Sequence, residues 1–344
     1  MYMVVEACRG RCSHRLHRIN PSGLFYPKDS PERVAAAAAK AAGATVAVKK
    51  ARLPPPATTF VCTHSMDLPN FMLLGRDKDK ILVVSRGGTT DAHAVMYDDG
   101  SHSIHVMPSW CPLKNLAFSV AVGESLYVFE SFPRLPEDDR HDGIDASEDI
   151  DGGAKSDRVR ESIEAYTVAG ESSIWVSVPG RGTFALDTSS DAWSKAGDWE
   201  LPFKGRGEYA PEHGLWLGFG VSSGLLSAWD LRAVAPTGTG PAARHTWADI
   251  CKVDGLVSQS DVVNLGDGRF CVDKVFEVEP RRPCGCCSSC CSCRHNQTTS
   301  RFFAMLTGVE LEDAGDGGFR LIQHKSCRYN LGITKPFYFA KLVC

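Results

Sequence analysis

The 344-residue chain lacks several features that would place it quickly. No apolar run approaches the roughly 18 residues of a membrane-spanning helix. The N-terminus has no secretory leader pattern, because Cys8, Arg9, Arg11, His14, Arg15 and Arg18 interrupt any apolar core. Charge of one sign is also missing. A formal net charge of −3 gives no whole-protein electrostatic footprint for nucleic acid. Neither a phosphate-binding Gly-x-x-x-x-Gly-Lys-Ser/Thr loop nor a His-Glu-x-x-His helix occurs. These absences predict an intracellular protein, cytoplasmic or nuclear, that binds neither membrane nor nucleic acid. In a reducing compartment, most of its 14 cysteines read as free thiols.

What is present is an internal repeat. An apolar strand, a tight polar turn and a second apolar strand recur as Phe71–Ser85, Phe118–Ser131, Ala165–Val178, Tyr209–Phe219 and Asp261–Val272. Successive starts lie 47, 47, 44 and 52 residues apart. That is the length of a four-stranded propeller blade, about 40–50 residues in repeat families that use one. Further strands follow each hairpin: Ala94–Gly100, Thr183–Ser189 and Leu225–Leu231 end at turns, and Ser103–Pro108 and Trp193–Pro202 end in proline. Asp and Gly suit the turns, and proline suits an outer strand where a missing N–H is tolerated. The expected fold is therefore all-β: a kelch-like β-propeller of about six four-stranded blades, with five to seven fitting the spacing. Closure is expected from pairing of N- and C-terminal strands, with half a unit at 22–27 and 45–54 meeting a spare strand at 336–343.

The domain reading follows. Residues 1–13 are expected to be a disordered basic terminus, and 14–344 a single propeller with three insertions. Residues 30–43 read as a short Ala-rich helix, capped by Ser30, begun by Pro31 and stopped by Gly43. Residues 133–160 read as an acidic disordered loop, with nine acidic residues between 136 and 158. Residues 280–300 form a Cys-rich loop.

The strongest segments are Ala165–Thr188, Trp193–Gly205 and Tyr209–Leu217, together with the opening Leu16–Pro27 and the landmark Arg52–Pro55. Together these resemble the large, grass-expanded plant family of kelch-like proteins of unknown function, a kelch or F-box-associated type of β-propeller. The resemblance spans most of residues 14–330. It implies a propeller-like fold without identifying a ligand, because its motifs are structural. The chain departs from that family around 131–165, where the acidic insertion runs almost directly into the next hairpin.

Candidate chemistry concentrates in Cys284, Cys286, Cys287, Cys290, Cys291 and Cys293, followed by His295. Two-residue spacings such as Cys287/Cys290 let thiolates share a tetrahedral zinc ion. A structural zinc site, however, joins two ligand pairs across a longer loop, and here there is one crowded run. The cluster reads as an expanded surface loop, with metal binding, acylation and redox chemistry as alternatives. Gly180-Arg-Gly182 reads as a turn between strands. The tryptophans Trp175, Trp193, Trp199, Trp216 and Trp229 read as blade packing, and the dispersed histidines as surface or satisfied core residues. No catalytic residue and no cofactor are expected. The predicted role is a non-enzymatic, monomeric interaction scaffold with an unknown protein partner, with recognition in ubiquitin ligation suggested by analogy with plant kelch propellers that accompany an F-box. The competing expectation is a small-molecule binder or enzyme using the central channel. It requires charged side chains on the innermost strands, which read as Val, Leu, Phe and Ser.

Overall fold

A computed structural model describes the chain except residues 10, 42–47, 62–68, 75–78, 87–91, 109–116, 132–161, 171, 233–237, 249, 251–252, 254, 279–300, 316–317, 333–340 and 344. The described residues are all-β apart from one α-helix and one 3-10 turn (Pro21–Leu24). No described helix is long and apolar enough to cross a membrane.

The strands form successive antiparallel units. The first combines β1 (Tyr2–Arg9), β2 (Arg11–Arg18), β4 (Pro56–Val61) and the C-terminal β23 (Lys341–Val343), in the order β23-β1-β2-β4. Between β2 and β4 run α1 (Pro31–Ala41) and β3 (Val48–Ala51). The second unit is a meander of β5 (Asn70–Leu74), β6 (Lys80–Arg86), β7 (Ala92–Asp98) and β8 (Ser103–Val106). The third has two described strands, β9 (Ala117–Val122) and β10 (Ser125–Glu130).

The fourth is a meander of β11 (Ala165–Ala169), β12 (Ser173–Val178), β13 (Gly182–Asp187) and β14 (Ala192–Gly197). The fifth comprises β15 (Phe203–Ala210), β16 (Leu215–Gly220), β17 (Leu226–Trp229) and β18 (Ala243–Trp247). These two join into one eight-stranded sheet because β11 pairs in parallel with β15, Ala165 opposite Gly205. The sixth unit is β19 (Leu256–Gly266), β20 (Arg269–Val278), β21 (Arg301–Asp313) and β22 (Phe319–Gly332), with β3 added in parallel along β22. None of these sheets closes on itself.

Period-2 alternation explains how they pack. Successive side chains of a strand point to opposite faces, so a strand apolar at every position is buried on both. In β1, Tyr2 and Val4 pack with Leu16 against Phe71, Leu73 and Ile81 of the second unit. Met3 and Val5, on the other face, pack against Cys271, Val275 and Phe302 of the sixth. Met72 and Leu82 of the second unit meet Leu126 and Val128 of the third. Phe118 and Val120 of the third meet Ile174 and Val176 of the fourth. Ala165, Ala169 and Trp199 pack with Phe203, Trp216 and Trp229 of the fifth, whose Leu217 and Phe219 in turn meet Val262 and Phe270 of the sixth. Followed in order, these six clusters lead from the first unit through all the others and back to it. The leading strands also neighbour one another in sequence: β23 with β5, β5 with β9, β9 with β11, β11 with β15 and β15 with β19.

Two expectations are corrected. Residues 1–13 do not form a disordered terminus: they build β1 and the start of β2, paired from Tyr2–Arg18 to Arg9–Arg11. Tyr2, Met3, Val4, Val5 and Leu16 are buried against two neighbouring units, and that burial outweighs the local charge. Terminal pairing also uses different partners. Tyr2 lies opposite Val343 and Val4 opposite Lys341, whereas Pro21–Leu24 is a 3-10 turn and β3 pairs with β22. The acidic stretch 133–160 and the Cys-rich stretch 280–300 lie outside the described residues.

Candidate functional site

The leading strands carry a polar cluster that an apolar reading of them misses. In β15 the sequence Phe203-Lys-Gly-Arg-Gly-Glu208 places two charged side chains two residues apart, hence on one face. Arg206 Nε lies 2.9 Å from Glu208 Oε1. Gly207 is required here, since a Cβ would come within 2.3 Å of the Phe203 ring tucked beneath the strand. Its carbonyl accepts the Thr167 hydroxyl at 2.7 Å, tying β15 to β11. On β19, the Gln259 amide donates to Asp261. Burial pushes the Tyr166 hydroxyl on β11 up to about 12; Arg206 opposes that shift, and Asp261 and Glu208 reinforce it. These charged groups from β15 and β19 therefore act on one region beside β11.

Directly across from Asp261, in register on β20, stands Asp273. It is 1% exposed, and neither carboxyl oxygen has a hydrogen-bond partner among the described residues. Burial first, then the facing Asp261, hold its pKa well above the usual carboxylate range.

Beside this cluster lies a cavity of about 510 Å³ lined by Met1, Pro21, Leu73, Glu208, Asn264, Leu265 and Gly266. Its wall draws on the first, second, fifth and sixth units. The Asn264 amide is already engaged: Nδ2 donates to the Tyr209 carbonyl and Oδ1 accepts from the Gly266 N–H at 2.8 Å.

A second network fastens the segment between β2 and α1 to the sixth unit. His324 is fully buried. Its Nδ1 accepts the Tyr26 N–H at 3.1 Å, so the ring proton sits on Nε2, which donates to Glu310 at 3.0 Å. Burial lowers the imidazole pKa, while Glu310 pulls it upward. Arg33 of α1 reaches Glu310 at 3.0 Å and also bonds Glu312, which Arg320 contacts at 2.8 Å. The Ser30 hydroxyl caps α1 at the Arg33 N–H. A third anchor is Asp99, which accepts Tyr2 Oη at 2.7 Å and Tyr97 Oη at 3.2 Å and pairs with Arg18. Each buried carboxylate of these two networks joins different elements of the fold.

The cysteine candidates Cys284, Cys286, Cys287, Cys290, Cys291 and Cys293, with His295, lie outside the described residues. The hairpin that carries them is described up to the pair Val278–Arg301. Among the described residues, no group of three His, Cys, Asp or Glu side chains could hold a metal ion. Gly180-Arg-Gly182 forms the turn from β12 to β13, with Arg181 N donating to the Val178 carbonyl. Gly220-Val-Ser-Ser-Gly224 has the Gly-x-Ser-x-Gly spacing of a nucleophile elbow. It links strand β16 to strand β17, however, whereas an elbow leads from a strand into a helix, so it is a hairpin turn. Trp199, Trp216 and Trp229 are buried between units, but Trp193 on β14 is 52% exposed and meets Phe129 edge-on.

Comparison with known proteins adds a family and no activity. No curated protein matches the chain. Among solved structures, the WD40 domain of SCAP from fission yeast is similar with a TM-score of 0.30 and 8% identity, over 80% of this chain and 69% of that one. A model for a protein family of unknown function matches residues 1–329. The chain is thus a member of the family described as protein of unknown function DUF1668.

Proposed function

We propose that the chain is a kelch-like β-propeller of six blades serving as a non-enzymatic interaction scaffold for a protein partner. The observation that carries this reading is the succession of six apolar clusters, each joining one sheet unit to the next, with the leading strands side by side. In such an array the inter-strand turns gather at the two ends, where loops are free to vary without disturbing the core. The two buried networks around Glu310 and Asp99 fit the same reading, because their polar groups fasten elements together. Exposed apolar side chains on outer strands supply contact area of the kind a protein surface covers: Ile104 and Val106 on β8 and Trp193 on β14.

A recognition role in ubiquitin ligation fits this scaffold by analogy alone. The Cys-rich stretch is proposed not to be a zinc site, so protein purified without added zinc should carry substoichiometric metal. Affinity capture from cell extract with the tagged chain tests the main reading. A stoichiometric protein partner, lost on Val106→Asp or Trp193→Ala, supports it. A companion that is only a small metabolite, with no stoichiometric protein, contradicts it.

A further inference from the structure

We infer that the open edge of β10 takes an extended segment of a protein partner as an added strand, alternately apolar and flanked by Lys or Arg. This rests on the scaffold reading and names how the partner is held.

In the third unit β10 holds the place that β6 holds in the second and β12 in the fourth. Those two strands are paired on both sides, β6 by β5 and β7, β12 by β11 and β13. Among the described residues β10 pairs with β9 alone. The two-residue turn Gly123-Glu124 makes Val122 and Ser125 a bonded pair, so by alternation Tyr127 and Phe129 also bond to β9. Leu126 and Val128 then turn their N–H and C=O groups outward, to an edge that a further strand can extend.

The sides of that edge are apolar. Val83 on β6 and Val176 on β12 are 4% and 3% exposed, whereas Leu126 to Phe129 on β10 are only half-buried. Met107, just beyond β8, packs with Leu126 and Val128. Trp193 of β14 meets Phe129 edge-on from the fourth unit. An incoming strand would therefore meet hydrocarbon on both of its faces.

The segment that follows β10 in sequence does not have this pattern. Residues 133–160 contain Leu135, Ile144, Ile150 and Val159 as isolated large aliphatics among nine acidic residues, without an alternating run. The Ile163 N–H donates to the Ser131 carbonyl at 2.8 Å, so both ends of that stretch are fixed beside the end of β10. Negative charge is thereby tethered near the edge, and it favours basic residues flanking the partner's strand.

Fluorescence anisotropy of the full chain with labelled Lys-Lys-Val-Thr-Val-Thr-Val-Lys-Lys tests this. Saturable binding near one peptide per chain is expected. N-methylation at the Val or at the Thr residues blocks one peptide edge or the other, and one of these peptides should bind at least about tenfold more weakly. Glu in place of the flanking Lys should weaken binding by a similar factor. Val128→Pro removes an outward N–H and should do the same; the N-methylated peptides serve alone if that variant does not fold. No saturable binding, or parent-like affinity for both N-methylated peptides, overturns the inference. A dimer abolished by Val128→Pro, with no peptide bound, gives the edge to a second copy and also overturns it. So does binding that arises only once residues 134–160 are deleted, which gives the edge to the chain's own segment. Capture of a protein from extract without peptide binding sinks this inference and leaves the scaffold reading standing.

Discussion

Asp273 on β20 stands in register with Asp261 on β19, so two carboxyl groups share one face of a single strand pair. Asp273 is buried without a hydrogen-bond partner among the described residues, and its carboxyl is held protonated far above its usual range. The folded state therefore binds a proton that the unfolded chain releases near pH 4. Stability from this group is fully present below that value and is lost as pH rises through the folded pKa. Asp273→Asn removes the titration. Across that window the variant should gain on the parent by about 1.4 kcal/mol per pH unit. Urea unfolding from pH 4 to 8 measures the gap, and parallel curves would contradict the assignment.

The Glu310–His324–Arg33 network makes the opposite pH prediction. The folded imidazole has a lowered pKa, so its contribution is present above the unfolded value near 6.5 and is lost as pH falls below it. Protonation at Nδ1 would also replace the acceptor of the Tyr26 N–H with a donor. Amide exchange protection at Tyr26 should therefore fall on acidification below about pH 6.5. Glu310→Gln leaves Arg33 short of a partner and should cost about 1–3 kcal/mol. Protection at Tyr26 that is independent of pH would count against this arrangement.

Gly308 marks where the 3-10 turn presses on β21. A Cβ there would meet the Leu24 carbonyl oxygen at 2.6 Å, and backbone cannot swing aside as a side-chain tip can. Gly308→Ala should destabilise the fold by about 1–3 kcal/mol, the usual cost of overpacking. Thermal melting reads this directly, and a neutral substitution would show that the turn is not seated as described.

The sequence disclosed the hairpins better than the leading strands or the termini. Repeat starts at Phe71, Phe118 and Ala165 fall within a residue of the starts of β5, β9 and β11, because those strands are short and mostly apolar. Tyr209 and Asp261 fall inside longer strands. The first halves of β15 and β19 are polar: Lys204, Arg206 and Glu208 in one, Ser258, Gln259 and Ser260 in the other. A search for apolar runs passes over such residues, and they include the cluster beside the cavity. The spacing of Arg206 and Glu208 was the available signal. The basic start was misread for a related reason: counting Arg9 to Arg18 as charge hides Tyr2–Val5 and Leu16, which are buried. Nothing local announces that β1 pairs with a strand more than three hundred residues away.

That pairing offers the most direct test of the proposed ring of packed sheets. β23 completes the order β23-β1-β2-β4 and sits beside β5, so it links the end of the chain to the first and second units. Removing residues 333–344 exposes the edge of β1 from Tyr2 to Val4. Thermal unfolding of the truncated chain beside the full chain is the decisive measurement. The account predicts a midpoint lower by at least about 2 °C and a broader transition. An unchanged, equally cooperative melt would contradict it.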